Sequence, residues 1–235
     1  MAAVKAVLLL DDDPDLRALL RTSLLARGLQ VVEASRARDA EALIQKAPVD
    51  VAVVDGLLRD GTGLEFVERV RAHNRAIRIV FISAYYRDLD TFRRLTALDV
   101  SRVAYKPVDP ESFAAQIAEL LDAPVEPPPG PELAQQLEQL HRQFHERLPG
   151  KITEVENAVA AAKADAQHMA RARDLAHALR GSAGSYGFPS VSEAIAVVEY
   201  LLTDASTRGP SSQPFFWEQI AGALRDAQRA ALAGR

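Results

Sequence analysis

The sequence predicts an α/β fold, a doubly wound five-stranded parallel sheet, followed by an all-α helical bundle. Three observations predict it. Up to about residue 122, short β-branched runs alternate five times with helical stretches. Residues 123–131 read APVEPPPGP, with five prolines in nine positions. Proline fixes φ and removes a backbone donor, so this stretch is expected to be a semi-rigid, extended spacer. Beyond it, strand signal nearly vanishes and alanine, leucine, glutamine and glutamate dominate. The expected domains are therefore 1–122 and 132–235, with 123–131 between them.

Strands are expected near 5–10, 29–34, 50–54, 78–82 and 102–105. Helices are expected near 14–27, 36–46, 63–73, 87–98 and 110–121. Gly28 stands where the first helix should stop. Pro14 and Pro110 occupy first-turn positions, where a missing N–H costs nothing. In the second half, helices are expected near 132–147, 150–163, 167–184, 190–204 and 214–232. Pro149-Gly150, Gly187-Phe188-Pro189 and Gly209-Pro210 mark the expected breaks. Short loops between amphipathic helices give antiparallel neighbours and hence a bundle.

The 235 residues suffice for two modest domains. The charge is 28 basic against 32 acidic, a net of −4, and neither half has the basic surplus of a nucleic-acid binder. There is no cysteine, which excludes disulfides, thiol chemistry and cysteine metal sites. The longest apolar runs fall short of a membrane span. Residues 1–10 read as a first strand rather than a signal peptide. The expectation is a cytoplasmic protein with no nucleic-acid or membrane partner.

Each of four apolar runs in the first half ends on side chains suited to phosphate and a hard cation. Val7–Leu10 leads to Asp11, Asp12 and Asp13; Val51–Val54 to Asp55; Ile79–Ile82 to Ser83; Val103–Tyr105 to Lys106. Parallel strands bring all these ends to one carboxyl edge, where open α/β sheets bind ligands. Two acids after the first strand and one after the third can converge on Mg²⁺. A carboxylate beside Mg²⁺ can attack a phosphoryl donor. Lys106 would hold one phosphoryl oxygen as a point charge, and Ser83 would hydrogen-bond another.

This ordered set resembles the receiver domain of two-component response regulators, a flavodoxin-like fold. The matching text is LLLDDDPDLRALL (8–20), VVDGLLRDGTG (53–63), FISA (81–84) and AYKP (104–107). Asp55 and Ser83 lie 28 residues apart, Ser83 and Lys106 lie 23 apart, and Gly63 stands where the family keeps a glycine. The resemblance implies that Asp55 is the phosphoacceptor, Asp12 the direct Mg²⁺ ligand and Asp11 the outer one. It implies that the Leu57 carbonyl completes the metal shell and that Ser83 and Lys106 contact the acyl phosphate. Asp13 aligns outside the acidic pair. Arg59 stands where receivers often have proline, and Val103 replaces the family's switch aromatic, with Tyr105 at the same strand parity. A rival order, that of haloacid-dehalogenase-type phosphatases, would use Asp11-x-Asp13, Ser83 and Lys106. That motif wants Thr or Val where Asp15 stands, and it leaves Asp55 unexplained.

In the second half, residues 174–188 read DLAHALRGSAGSYGF. His177, Arg180, Gly181 and Gly184 share one helix face. Glycine inside a helix costs about 1 kcal/mol relative to alanine, so these glycines need a reason. Tight helix packing is one; close approach of a partner's site to His177 is another. His73, His141, His145 and His168 read as ordinary surface or core residues, with His141 and His145 on a solvated face.

The string around His177 resembles the histidine phosphotransfer (HPt) domain, H-x-L-[KR]-G-S-A-G-x-x-G, and continues to GF as in the phosphotransfer domain of chemotaxis kinases. The resemblance implies that His177 carries a phosphoryl group, that Arg180 steadies it, and that Glu199 accepts the Nδ1 proton. A carboxylate on Nδ1 fixes the tautomer and leaves Nε2 as nucleophile. Nothing in the sequence resembles an ATP-binding kinase domain, so His177 is expected to exchange phosphoryl groups rather than take them from ATP. The expected function is phosphorelay signalling. A sensor histidine kinase or an HPt protein is the donor to Asp55, and a receiver aspartate, of another response regulator or its own, is the partner of His177. Two alternatives remain at this point. In one, phosphorylation of Asp55 controls access to His177. In the other, the helical half is a docking or dimerisation module without phosphotransfer.

Overall fold

The computed structural model describes residues 4–83, 89–122, 131–208 and 214–234. The proline spacer lies outside the described residues apart from Pro131, which opens a helix. The chain divides into two compact units, Met1–Leu140 and His141–Arg235.

The first unit alternates strands and helices: β1 (Ala6–Leu10), α1 (Pro14–Leu25), β2 (Gln30–Ala34), α2 (Ala37–Lys46), β3 (Val51–Asp55), β4 (Leu57–Leu58), β5 (Gly61–Thr62), α3 (Gly63–His73), β6 (Arg78–Ser83), α4 (Leu89–Ala97), β7 (Arg102–Tyr105) and α5 (Pro110–Leu120). Five strands form one parallel sheet, as the sequence predicts, and their order is β2-β1-β3-β6-β7. This order reverses direction between β1 and β3, and a doubly wound sheet opens its crevice at that point.

Alternation along the buried strands sends side chains to two apolar layers. Val7, Leu9, Val51, Val53, Val80 and Ile82 meet Leu16, Leu20, Phe113 and Ile117 from α1 and α5. Leu8, Leu10, Ala52, Val54, Ile79 and Phe81 meet Phe66, Val67 and Val70 from α3. Arg71 ties the far end together. It is buried and donates to the carbonyl oxygens of Leu98, Asn74, Ile77 and Asp99, at 2.7–3.2 Å.

The β4–β5 hairpin departs from the sequence reading, which has no strand there. Leu57 pairs with Thr62 and Leu58 with Gly61, antiparallel. Two-residue strands are too short to show a period. Gly61 supplies the φ of +145° that the turn into β5 requires.

The helical half comprises α6 (Pro131–Ala164), a 3₁₀ turn (Ala166–His168), α7 (Met169–Ser185), α8 (Pro189–Arg208) and α9 (Pro214–Ala233). The expected break at Pro149-Gly150 is absent: α6 runs unbroken through both residues. An interior proline costs about 3 kcal/mol. On either side of it, Phe144, Leu148, Ile152, Val155 and Val159 form one buried stripe. At about 1.5–3 kcal/mol per buried side chain, that stripe outweighs the proline. Gly187 ends the α7 segment with φ +79°, and Phe188 N–H donates to the Ala183 carbonyl at 2.8 Å. Tyr186 is fully buried and stacks on Phe144 with centroids 4.2 Å apart.

His145 is exposed and His141 half-buried, in keeping with the expected solvated face, but both also meet aromatic rings. His141 meets the Tyr186 ring edge-on at 5.3 Å, and His145 stacks on Phe188 at 5.3 Å. His145 Nε2 also lies 3.3 Å from the Ala231 carbonyl oxygen. The α7–α8 turn brings these aromatic neighbours.

Candidate functional site

In the first unit the four strand ends deliver their side chains to one edge. Asp11 follows β1, Asp55 closes β3, Ser83 closes β6 and Lys106 follows β7. All four are buried, at 1–3 % exposure. Register places Asp55 beside Ile82, and Ser83 beside Tyr105. Lys106 N–H donates to the Ser83 carbonyl at 3.0 Å, and the Lys106–Pro107 peptide is cis. Lys106 Nζ lies 3.0 Å from Asp11 Oδ2 and 3.1 Å from Asp55 Oδ2. Burial alone would push the Lys106 ammonium down. The Asp11 and Asp55 carboxylates outweigh it and hold the ammonium well above the ordinary lysine range.

Asp11, Asp12 and Asp55 each offer a carboxylate oxygen, all within 4.8 Å of one another. Burial, and then the Asp11 charge, push the Asp12 carboxyl up; Arg59 and Lys106 act against them. Three crowded carboxylate oxygens are hard donors with surplus negative charge, and such a set suits Mg²⁺. Leu57 is half-buried in β4, two residues beyond Asp55.

The structure gives Asp13 a role that the sequence reading left open. It is the N-cap of α1, and its carboxylate accepts the Asp15 N–H at 2.9 Å. An aspartate just before Pro14 is the sequence signal for this. Asp11 also accepts the Asp13 N–H, at 2.8 Å, so the acidic turn is braced from within. Arg17 donates to the Asp11 carbonyl, a contact with no sequence signal. Val103 packs partly against the Leu8–Leu10 layer, whereas Tyr105 is 40 % exposed.

In the second unit His177 lies on α7 and Glu199 on α8. His177 Nδ1 and Glu199 Oε1 are 2.6 Å apart, and Arg180 Nη1 donates to Glu199 Oε2 at 3.0 Å. One carboxylate thus spans the ring and the guanidinium. Ser192 Oγ donates to the Arg180 carbonyl at 2.9 Å and helps lock α8 to α7. Gly181 is buried, which fits the packing explanation for that glycine. His177 is 4 % exposed, and its Nε2 is buried.

Burial pushes the Glu199 carboxyl up, but the hydrogen bonds from His177 and Arg180 and the Arg180 charge outweigh it and bring it below the ordinary value of 4.5. A lowered folded-state pKa stabilises the fold above the ordinary value and loses that contribution as the pH falls below it. The helical half should therefore lose thermal stability as the pH falls below the ordinary glutamate value of 4.5. Glu199→Gln should flatten that decline while costing about 1–3 kcal/mol at neutral pH, both readable by thermal unfolding against pH.

Among the described residues, no helix is long and apolar enough to cross a membrane. Comparison with known proteins divides the chain in two. Residues 7–118 match the family "Response regulator receiver domain" and residues 131–231 match the "Hpt domain". The chain is 31 % identical over 121 residues to the transcriptional regulatory protein GltR of Pseudomonas aeruginosa, covering 50 % of this chain and 49 % of that one. It is 28 % identical over 139 residues to the acid tolerance regulatory protein ActR of Rhizobium meliloti, covering 59 % of this chain and 71 % of that one. It thus spans about half the length of the first of these relatives. It is also similar to a CheY-like response regulator receiver domain protein from Methanospirillum hungatei. There the TM-score is 0.49 and the identity 24 %, over 51 % of this chain and 95 % of that one.

Proposed function

The chain joins a response regulator receiver domain to an Hpt domain, and from that premise we propose that it is a phosphorelay protein with two phosphoryl-carrying side chains, Asp55 and His177. The observation that carries this reading is the pair of built sites: Lys106 on Asp11 and Asp55 at 3.0 and 3.1 Å, and His177 on Glu199 at 2.6 Å.

A receiver over 1–122, a spacer over 123–131 and an HPt bundle over 132–235 make up the chain. Asp55 attacks the phosphorus of a phosphohistidine on a histidine kinase or an HPt protein. A P–O bond forms, the P–N bond breaks, and the departing imidazole regains its nitrogen lone pair. Asp11, Asp12, Asp55 and the Leu57 carbonyl would hold Mg²⁺, which would supply positive charge to offset that of the transferring group. Lys106 and Ser83 bind the phosphoryl oxygens. In the bundle, a ring protonated at Nδ1 donates to Glu199 and keeps the Nε2 lone pair for phosphorus. Nε2 attacks a receiver's aspartyl phosphate, the P–O bond breaks and a carboxylate departs. Arg180 sits on Glu199 and supplies positive charge beside the transferred group. The partners are a phosphohistidine donor and a second receiver, and the setting is cytoplasmic.

Burial of Nε2 favours a second reading: the ring is uncovered only in part of the cycle, and phosphorylation of Asp55 controls that step. One labelling experiment tests both. The full chain is incubated with Mg²⁺ and radiolabelled acetyl phosphate, and His177 is charged by a separate phosphorylated receiver. His177→Gln should abolish the acid-labile, base-stable label, and Asp55→Asn the base-labile one. Under plain relay, Asp55→Asn leaves His177 labelling intact; under controlled access that labelling falls severalfold. Base-stable label that survives His177→Gln would refute the proposal and leave the helical half as a docking module.

A further inference from the structure

Arg59 stands on the β4–β5 hairpin, and its Nε donates to Asp12 Oδ2 at 3.2 Å. The Arg59 side chain is 68 % exposed and that of Asp12 20 % exposed, so the pair lies at the mouth of the acidic edge. The proposed site needs Asp12 as a cation ligand. The same carboxylate is already engaged by a guanidinium from the same chain. Proline, which many receivers carry at this position, has no cation to offer. We propose that Arg59 is a resident counter-ion that competes with the divalent cation for Asp12. It weakens cation binding in the resting protein and swings out when the cation enters. This inference rests on the cation site described above and concerns only how tightly that site fills.

Three features make the contact effective. The hairpin has its own two ladder pairs, Leu57–Thr62 and Leu58–Gly61, so Arg59 projects from a fixed turn. Asp60, next in the chain, accepts the Ala37 N–H at 2.9 Å and the Arg38 N–H at 3.3 Å, which anchors the tip of the hairpin to α2. Lys106, also at this edge, is committed to Asp11 and Asp55. Arg59 is therefore the cation that can leave without uncovering a buried carboxylate pair. Its long, exposed stem permits that movement at little cost.

The competition is worth what an exposed ion pair is worth, so removing it should tighten cation binding about threefold to fivefold. At 1.4 kcal/mol per factor of ten, fivefold corresponds to about 1 kcal/mol. The test uses the full, unphosphorylated chain and no phosphoryl donor. Mn²⁺ affinity is read from free-ion electron paramagnetic resonance, and Mg²⁺ affinity by competition. Arg59→Gln should lower both dissociation constants threefold to fivefold. In the unsubstituted protein, the Arg59 Nε–H resonance should shift during Mg²⁺ titration with the midpoint of binding. Unchanged or weaker affinity in Arg59→Gln overturns the inference, and so does an Arg59 resonance that ignores Mg²⁺. Failure of labelling at Asp55 or His177 would count against the relay and would leave these affinities unaffected.

Discussion

Gly63→Ala should destabilise the receiver by about 3 kcal/mol and reduce acetyl-phosphate labelling of Asp55 more than tenfold. A Cβ at this position would lie 2.0 Å from the Asp55 carbonyl oxygen, 2.9 Å from its carbon and 3.0 Å from Val54 Cγ1. Two of these atoms are backbone of the residue proposed to carry the phosphoryl group. Neither side of the contact can yield cheaply. Gly63 N–H donates to the Gly56 carbonyl at 3.0 Å, and Thr62 and Glu65 close a capping box at the start of α3. Behind them Leu64, Phe66, Val67 and Val70 are buried. The strain therefore falls on the end of β3, and Asp55 is displaced from Lys106. Urea unfolding and labelling yield check this together. Gly150→Ala is the control, since a Cβ there meets nothing within 4 Å. Helix propensity alone predicts that the control gains about 1 kcal/mol. A Gly63→Ala midpoint that moved with the control would refute the argument.

Lys106→Met should cost about 3–5 kcal/mol at neutral pH. The ammonium and its two carboxylate partners are each 2 % exposed or less, so the substitution strands negative charge in the interior. The raised lysine pKa contributes stability that is fully present below the ordinary lysine value of 10.5 and is lost only as the pH rises beyond it. The penalty should accordingly appear in full at physiological pH. Millimolar Mg²⁺ should recover part of it, because a ligand that binds only the folded state stabilises that state. Urea unfolding with and without Mg²⁺ measures both effects. Equal midpoints for the two proteins in the absence of Mg²⁺ would show that the buried pair contributes nothing.

The receiver was legible because its central strands, β1, β3 and β6, are buried on both faces. Runs such as Val51–Val54 carry no alternation, and each ends abruptly on a functional side chain. Parallel topology then turns four separate sequence positions into one edge. His177 and Glu199 lie far apart in sequence; only the resemblance linked them, and the α7–α8 packing sets their distance. Other features depend on contacts with no local signature. The β4–β5 hairpin is too short to show a period. Pro149 looked like a stop because a proline in isolation is one, and only the buried stripe on both sides overrides it. Arg59 was visible as a departure, but its reach to Asp12 follows from the hairpin. The enclosure of the His177 ring is tertiary and left no trace in the string around it.

If His177 carries a phosphoryl group as proposed, that enclosure would have a kinetic consequence. Phosphoimidazole is lost to water unless water is kept away, and a nitrogen shut inside the bundle would keep it away. A phosphoryl group lodged there would leave at a rate set by how often the surrounding surface breathes. The bundle would then work less as an open conduit than as a reservoir with a slow valve.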